Sequence, residues 1–231
     1  MSIPVCCIIG FLIGGIPFGY LLGRIVLKDD IRNHGSGNIG ATNVGRVIGW
    51  KWGGLVLFLD ALKGLLPTWL AMQQANQHFP ELHWHLPVAT GICAIIGHMY
   101  PIYLRLRGGK GVATALGVVL VIAPKSVLIA FLVFAAVAAT SRMIALASML
   151  AAAVFGVTQM WVLRNQAFDA DKWSLTVFSV GIPLLIIWRH RSNIGRMIKG
   201  TEPSISKSEQ LKENGQSDSE TAVGDDSKPS E

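Results

Sequence analysis

The chain has 231 residues, 51% of them hydrophobic and 15% charged, with a net charge of +6 at neutral pH. Its mean hydropathy of +0.47 is more than a water-facing surface carries, which sets aside soluble enzyme folds, coiled coils and secreted disulfide scaffolds. The charge is uneven: residues 1–200 hold 17 Lys and Arg against 6 Asp and Glu, while the last 31 hold 3 against 8. A basic membrane protein needs its cations to set orientation, so no nucleic acid partner follows from them. Cys6, Cys7 and Cys93 lie in apolar surroundings without a C-x-x-C pair or a His partner. They read as small hydrophobes, and no metal site is expected.

In chain order, the first apolar run is 3–26, with no Lys or Arg before Arg24. It lacks the basic start and small-residue cleavage site of a signal peptide, so it is expected to be a span. Further runs follow at 53–72, 86–104, 111–123, 126–139, 143–163 and 175–188. The expected fold is therefore all-α, a polytopic integral membrane protein of about seven transmembrane helices. Two of these, on either side of Pro124 and Lys125, would reach only about 20 Å, and read equally as a re-entrant hairpin or two short spans. Alternate connections carry Lys28, Arg32, Arg46 and Lys51, then Arg105, Arg107 and Lys110, then Arg142, then Arg189, Arg191, Arg196 and Lys199. The positive-inside rule then places the N-terminus outside and the C-terminus in the cytoplasm. Residues 1–200 form the transmembrane domain, and 201–231 is too polar to pack and is expected to be a disordered acidic tail.

Three polar segments fall on the basic side. The first, 35–46, reads GSGNIGATNVGR. Its glycines let amide groups turn toward an anion and Arg46 offers a fork for phosphate, although a plain Gly/Asn turn between helices fits the composition equally well. The second, 97–114, reads GHMYPIYLRLRGGKGVAT, where a Gly-Gly-Lys-Gly turn opens a helix and points Lys110 and amide groups at one place. Arg105 and Arg107 read as orientation anchors, and His98 as a core histidine. The third, 189–203, reads RHRSNIGRMIKGTEP, with His190 and Asn193 three apart on one helical face. Asp60 and Lys63 share a face inside the second span and are expected to pair or to brace the site. Together the segments suit a ligand with a phosphate in water and a fatty chain in lipid.

GSGNIGATNVGR, GHMYP with LRGGKGVATALG, and RHRSNIGR, together with LDALKG around Asp60, resemble the motifs of the bacterial acyl-phosphate:glycerol-3-phosphate acyltransferases, the PlsY family. The resemblance covers residues 1 to about 200. It implies a seven-helix enzyme of the bacterial inner membrane, with its site on the cytoplasmic face. Such an enzyme moves an acyl group from long-chain acyl phosphate to the 1-hydroxyl of glycerol 3-phosphate, releasing lysophosphatidate and inorganic phosphate. It implies no cofactor, and as partners the two substrates, membrane lipid and the enzyme that makes acyl phosphate. Carried over by position, Ser36, Arg46, Lys110 and Ser148 hold substrate phosphate, and His190 and Asn193 orient the glycerol hydroxyls. Asn38, Thr42 and Asn43 shape the first loop, and Gly108 and Gly109 approach the acyl phosphate. Ala145 stands where the family is expected to carry a serine.

Acyl phosphate is a mixed anhydride with a good leaving group, so proximity and charge neutralisation are expected to suffice without an obligatory general base. No His has an Asp five residues on, the mark of the other glycerol-phosphate acyltransferase class. The rival readings are a transporter for a phosphorylated small molecule, against which the one-sided motifs and the lack of repeated halves count, and a non-catalytic scaffold for lipid synthesis.

Overall fold

The computed structural model describes residues 3–204, so the expected tail lies outside the described residues except for its first four positions. All regular structure among the described residues is helical. The α-helices are α1 (Ile3–Gly14), α2 (Phe18–Leu22), α3 (Ala41–Val47), α4 (Trp50–His78), α5 (His85–Met99), α6 (Val112–Ile122), α7 (Pro124–Ser141), α8 (Ile144–Leu163), α9 (Trp173–Arg189) and α10 (Arg191–Ile198). Large apolar side chains face outward, with Phe58 62%, Leu132 60% and Leu184 62% exposed, an arrangement that hydrocarbon tolerates and water does not. The fold is thus the multi-pass helical bundle expected from the apolar runs.

Among the described residues, five stretches are long and apolar enough to cross a bilayer: Ile3–Leu27, Trp50–His78, His85–Leu104, Pro124–Ser141 and Ile144–Gln166. A sixth is α9 continued into α10 through a 53° bend. Of the two runs expected to be short, only α6 is so, with 11 residues or about 16 Å. In contrast, α7 has 18 residues and reaches about 27 Å. The expected range 126–139 fell short because it trimmed polar ends that the helix keeps. Pro124 occupies the first turn, where its missing N–H costs nothing. At the other end, Thr140 and Ser141 return their hydroxyls to the carbonyls of Ala136 (2.9 Å) and Val137 (2.6 Å).

Small residues let these helices touch backbone to backbone. A Cβ at Gly14 would overlap the backbone of Ala94, and one at Gly97 would overlap the carbonyl of Phe11, so α1 and α5 cross in close contact. Likewise Gly64 meets the Thr114 carbonyl and Gly117 meets that of Ala61, pressing α6 onto α4. Gly117→Leu is expected to force these helices apart at a cost of about 1–3 kcal/mol, read as a lower thermal midpoint of the extracted protein. An unchanged midpoint would show that α6 does not depend on this contact.

Inside α4, Asp60 and Lys63 do pair, Nζ to Oδ1 at 2.8 Å, and both side chains are 2% exposed. Lys63 Nζ also donates to the carbonyl of Ile16 at 2.7 Å, where Pro17 interrupts the first span between α1 and α2. The pair therefore braces a break in a neighbouring helix as well as neutralising itself.

Candidate active site

The loop between the first span and α3 is organised by Asn43. Its Nδ2 donates to the carbonyls of Asn38 (2.8 Å), His34 (3.1 Å) and Ile31 (3.2 Å), while its Oδ1 accepts from the amide (2.7 Å) and hydroxyl (3.1 Å) of Ser36. Asn38 Oδ1 accepts from the Gly40 amide at 2.8 Å, closing a tight turn. Gly35 and Gly37 have φ of 59° and 69°, the left-handed conformation that this fold of the loop requires. Asn43 is 2% exposed with its amide fully engaged, so its work is to shape the loop. The result presents Ser36, and Arg46 from the last turn of α3, to one cavity.

The second segment leaves α5 at Tyr100–Pro101 and returns over the helix end. The amides of Gly108 and Gly109 donate to the carbonyls of Met99 and His98, each at 3.1 Å. They are consumed by the chain itself and are not free to hold an anion. Gly108 and Gly109 stand behind Lys110 rather than in its cavity, which departs from their expected approach to acyl phosphate. Arg189 Nη2 donates to the Gly109 carbonyl at 2.7 Å and lies over the Tyr100 ring at 5.2 Å, fixing the turn. Lys110 then precedes α6, whose first amide groups have no partner within the helix and border the cavity at Val112 and Ala113.

Ser36, Asn38, Thr42, Asn43, Arg46, Lys110, Ser148, His190 and Asn193 all line this cavity of about 340 Å³ at one end of the bundle. Lys110 Nζ donates to Asn193 Oδ1. His190 shares its Nδ1 with the Ile186 carbonyl at 2.8 Å, so the proton sits on Nδ1 and Nε2 is left as an acceptor. Burial pulls the Lys110 ammonium down to about 8, with Arg196, Arg46 and Arg189 adding to the fall and Glu202 opposing it. The Arg46 guanidinium is also lowered by burial, and its buried Nε has no hydrogen-bond partner among the described residues.

Three titratable residues that border the cavity were not among those expected to line it. Asp60 and His98 reach it from below. Glu202 closes it from the other side: its Oε1 accepts from Asn193 Nδ2 and its Oε2 from Arg196 Nε, both at 2.7 Å, and its side chain is 1% exposed. Next to it, the Pro203 carbonyl accepts from Arg46 Nη2 at 2.9 Å. Glu202 and Pro203, which fall within the expected tail, therefore pack against the site. The signal for Glu202 was its place as the single acid within the basic run 189–203.

Beneath the polar cavity an apolar groove of about 160 Å³ runs between α6, α7, α8 and α9, and the two share Leu57, Val112, Ala113, Phe134 and Ser148 as walls. A polar, cationic pocket thus continues directly into a lipid-like slot.

Residues 4–200 match the family model for glycerol-3-phosphate acyltransferase. The chain belongs to the PlsY family of glycerol-3-phosphate acyltransferases. It is 47% identical over 195 residues to the glycerol-3-phosphate acyltransferase of Myxococcus xanthus (strain DK1622), covering 84% of this chain and 95% of that one. It is 44% identical over 201 residues to that of Syntrophotalea carbinolica, covering 87% and 96%. The crystal structure of PlsY, an integral membrane glycerol 3-phosphate acyltransferase, in its glycerol 3-phosphate form superposes with a TM-score of 0.79 at 36% identity, over 91% of this chain and 99% of that one. Its lysophosphatidic acid form gives 0.74 at 36% identity, over 88% and 95%. This glycerol-3-phosphate acyltransferase is accordingly an integral membrane enzyme whose family motifs meet around one cavity.

Proposed function

We propose that the enzyme transfers a fatty acyl group from acyl phosphate to the sn-1 hydroxyl of glycerol 3-phosphate, at the cytoplasmic face of a bacterial inner membrane. The observation that carries this reading is the direct passage from a cationic cavity to an apolar groove through shared walls. A ligand that is phosphate at one end and hydrocarbon at the other fits both. Lys110, Arg46 and Ser36 hold phosphate, Ser148 sits where the two cavities join, and His190 and Asn193 orient the glycerol.

The attacking hydroxyl forms the ester bond at the acyl carbon, and the bond from that carbon to the phosphate oxygen breaks. Phosphate leaves with the electron pair and takes the hydroxyl proton. His190, whose Nδ1 is engaged by the Ile186 carbonyl, offers Nε2 as a hydrogen-bond acceptor for a hydroxyl. Lys110 and Arg46 neutralise the charge that grows on the leaving phosphate.

The test compares acyl phosphate, acyl-CoA and acyl carrier protein of equal chain length on purified enzyme. Acyl phosphate is expected to be the only efficient donor, with one inorganic phosphate released per lysophosphatidate. Comparable rates from either thioester would overturn the donor assignment. For the acceptor, His190→Gln and Asn193→Ala are expected to raise KM for glycerol 3-phosphate more than KM for the donor. Loss of turnover at saturating acceptor with both KM values unchanged would recast His190 as a base.

A further inference from the structure

The apolar groove has a definite bottom. Three of its walls share one register, α6 from Val112 to Val119, α7 from Phe134 back to Val127, and α8 from Ser148 to Phe155, and Ile182, Pro183 and Ile186 of α9 close the remaining side. Each covers eight residues, whose seven steps rise about 10 Å along the helix. On α8, Ser148, Ala151, Ala152 and Phe155 fall at i, i+3, i+4 and i+7, so a single face runs down the groove and its alanines leave the space. Phe155 ends that space. It is 6% exposed and packs edge-on against Phe178 of α9, with ring centroids 6.3 Å apart and planes at 85°. Phe178 itself is 1% exposed and has nowhere to retreat.

One turn further along α8, Gln159 Oε1 accepts from Ser126 Oγ at 2.6 Å, with both residues buried. Polar groups at such depth are expensive unless paired, and this pair ties α7 to α8 just past the aromatic floor. Neither pair borders the phosphate cavity. One leaflet is about 15 Å deep, half of a hydrocarbon core of about 30 Å, so an acyl chain of leaflet length outruns a groove of about 10 Å.

We propose that Phe155, backed by Phe178, is the specificity-determining floor of the acyl site. Carbons above it are held by protein, and carbons beyond it turn out past Phe131, which borders the groove and is 54% exposed. This rests on the acyl-donor reading above and adds to it which part of a long chain the protein recognises.

The experiment measures kcat/KM for octanoyl, decanoyl, dodecanoyl and palmitoyl phosphate with wild type, Phe155→Ala and Ala152→Leu. Phe155→Ala deepens the groove and is expected to raise palmitoyl over decanoyl by about fourfold for each methylene newly buried. Ala152→Leu fills the groove above the floor and is expected to shift the preference toward octanoyl. KM for glycerol 3-phosphate stays unchanged in both. Uniform changes across all donors, or no change in either variant, would overturn the floor. Because the two substitutions push in opposite directions, a folding defect in one leaves the other decisive. Should the wild type use a thioester instead, the same variants on that donor series test the floor, so the two readings fail separately.

Discussion

Alanine at Lys110 is expected to lower kcat/KM by about 10- to 100-fold with the protein still inserted and extractable, and alanine at Arg46 by a similar factor. Charge-assisted hydrogen bonds are worth about 1.5–3 kcal/mol each, and these two cations face the same cavity from different segments. Arg46 has a buried Nε without a partner among the described residues, which a bound phosphate would satisfy. Arg107→Ala is the control, because Arg107 lines a separate pocket with Arg32 and Arg189. Equal losses at Arg107 and Lys110 would mean that the phosphate site is wrongly placed. The pH profile gives a second readout. Lys110, lowered to about 8, is charged below that pH and loses its proton above it. The kcat/KM of the wild type should therefore fall as pH rises through about 8, since that parameter reports the free enzyme. Lys110→Ala should lose this limb, and a limb that persists in the variant would reassign it.

A chain ending after Gly200 is expected to lose most activity, whereas one ending after Pro203 should keep it. The difference is Glu202 and the Pro203 carbonyl. Without them Asn193 loses its carboxylate, Arg196 its ion pair and Arg46 an acceptor, leaving a cluster of cations with less to hold it. Breaking a buried pair costs about 3–5 kcal/mol, reduced here because Arg196 is 32% exposed, so a loss on the order of 100-fold is expected. Glu202→Gln should fall between the two, since its side-chain oxygen still accepts from Asn193. Full activity in the shorter chain would show that the glutamate is a bystander.

The bundle was legible because its signal is local: unbroken apolar runs mark the helices, and Gly, Asn and Lys mark the places where they stop. What escaped depends on distant partners. The glycines of 108–111 have the composition of an anion loop, but the end of α5 takes the Gly108 and Gly109 amides first, a contact that no spacing rule reveals. Arg189 and Arg196 look like orientation charges in a basic flank, yet one holds the Gly109 carbonyl and the other Glu202. Glu202 was hidden by the polar company that follows it. A turn at Gly200, φ 66°, brings it back to α10, and hydropathy carries no trace of such a turn. The length of α7 was missed for a similar reason, since Thr140 and Ser141 look like a polar stop but turn their hydroxyls onto the helix's own carbonyls.

The buried Asp60–Lys63 pair bears on how the enzyme is made. A ribosome delivers the break at Pro17 to the membrane well before Lys63, which lies 47 residues after Ile16. When α4 follows, its acid and its base are one helical turn apart, so the segment enters hydrocarbon with its charges already cancelled. The same ammonium holds the Ile16 carbonyl at 2.7 Å, so the finished bundle ties its first two spans together through a pair that has already neutralised itself.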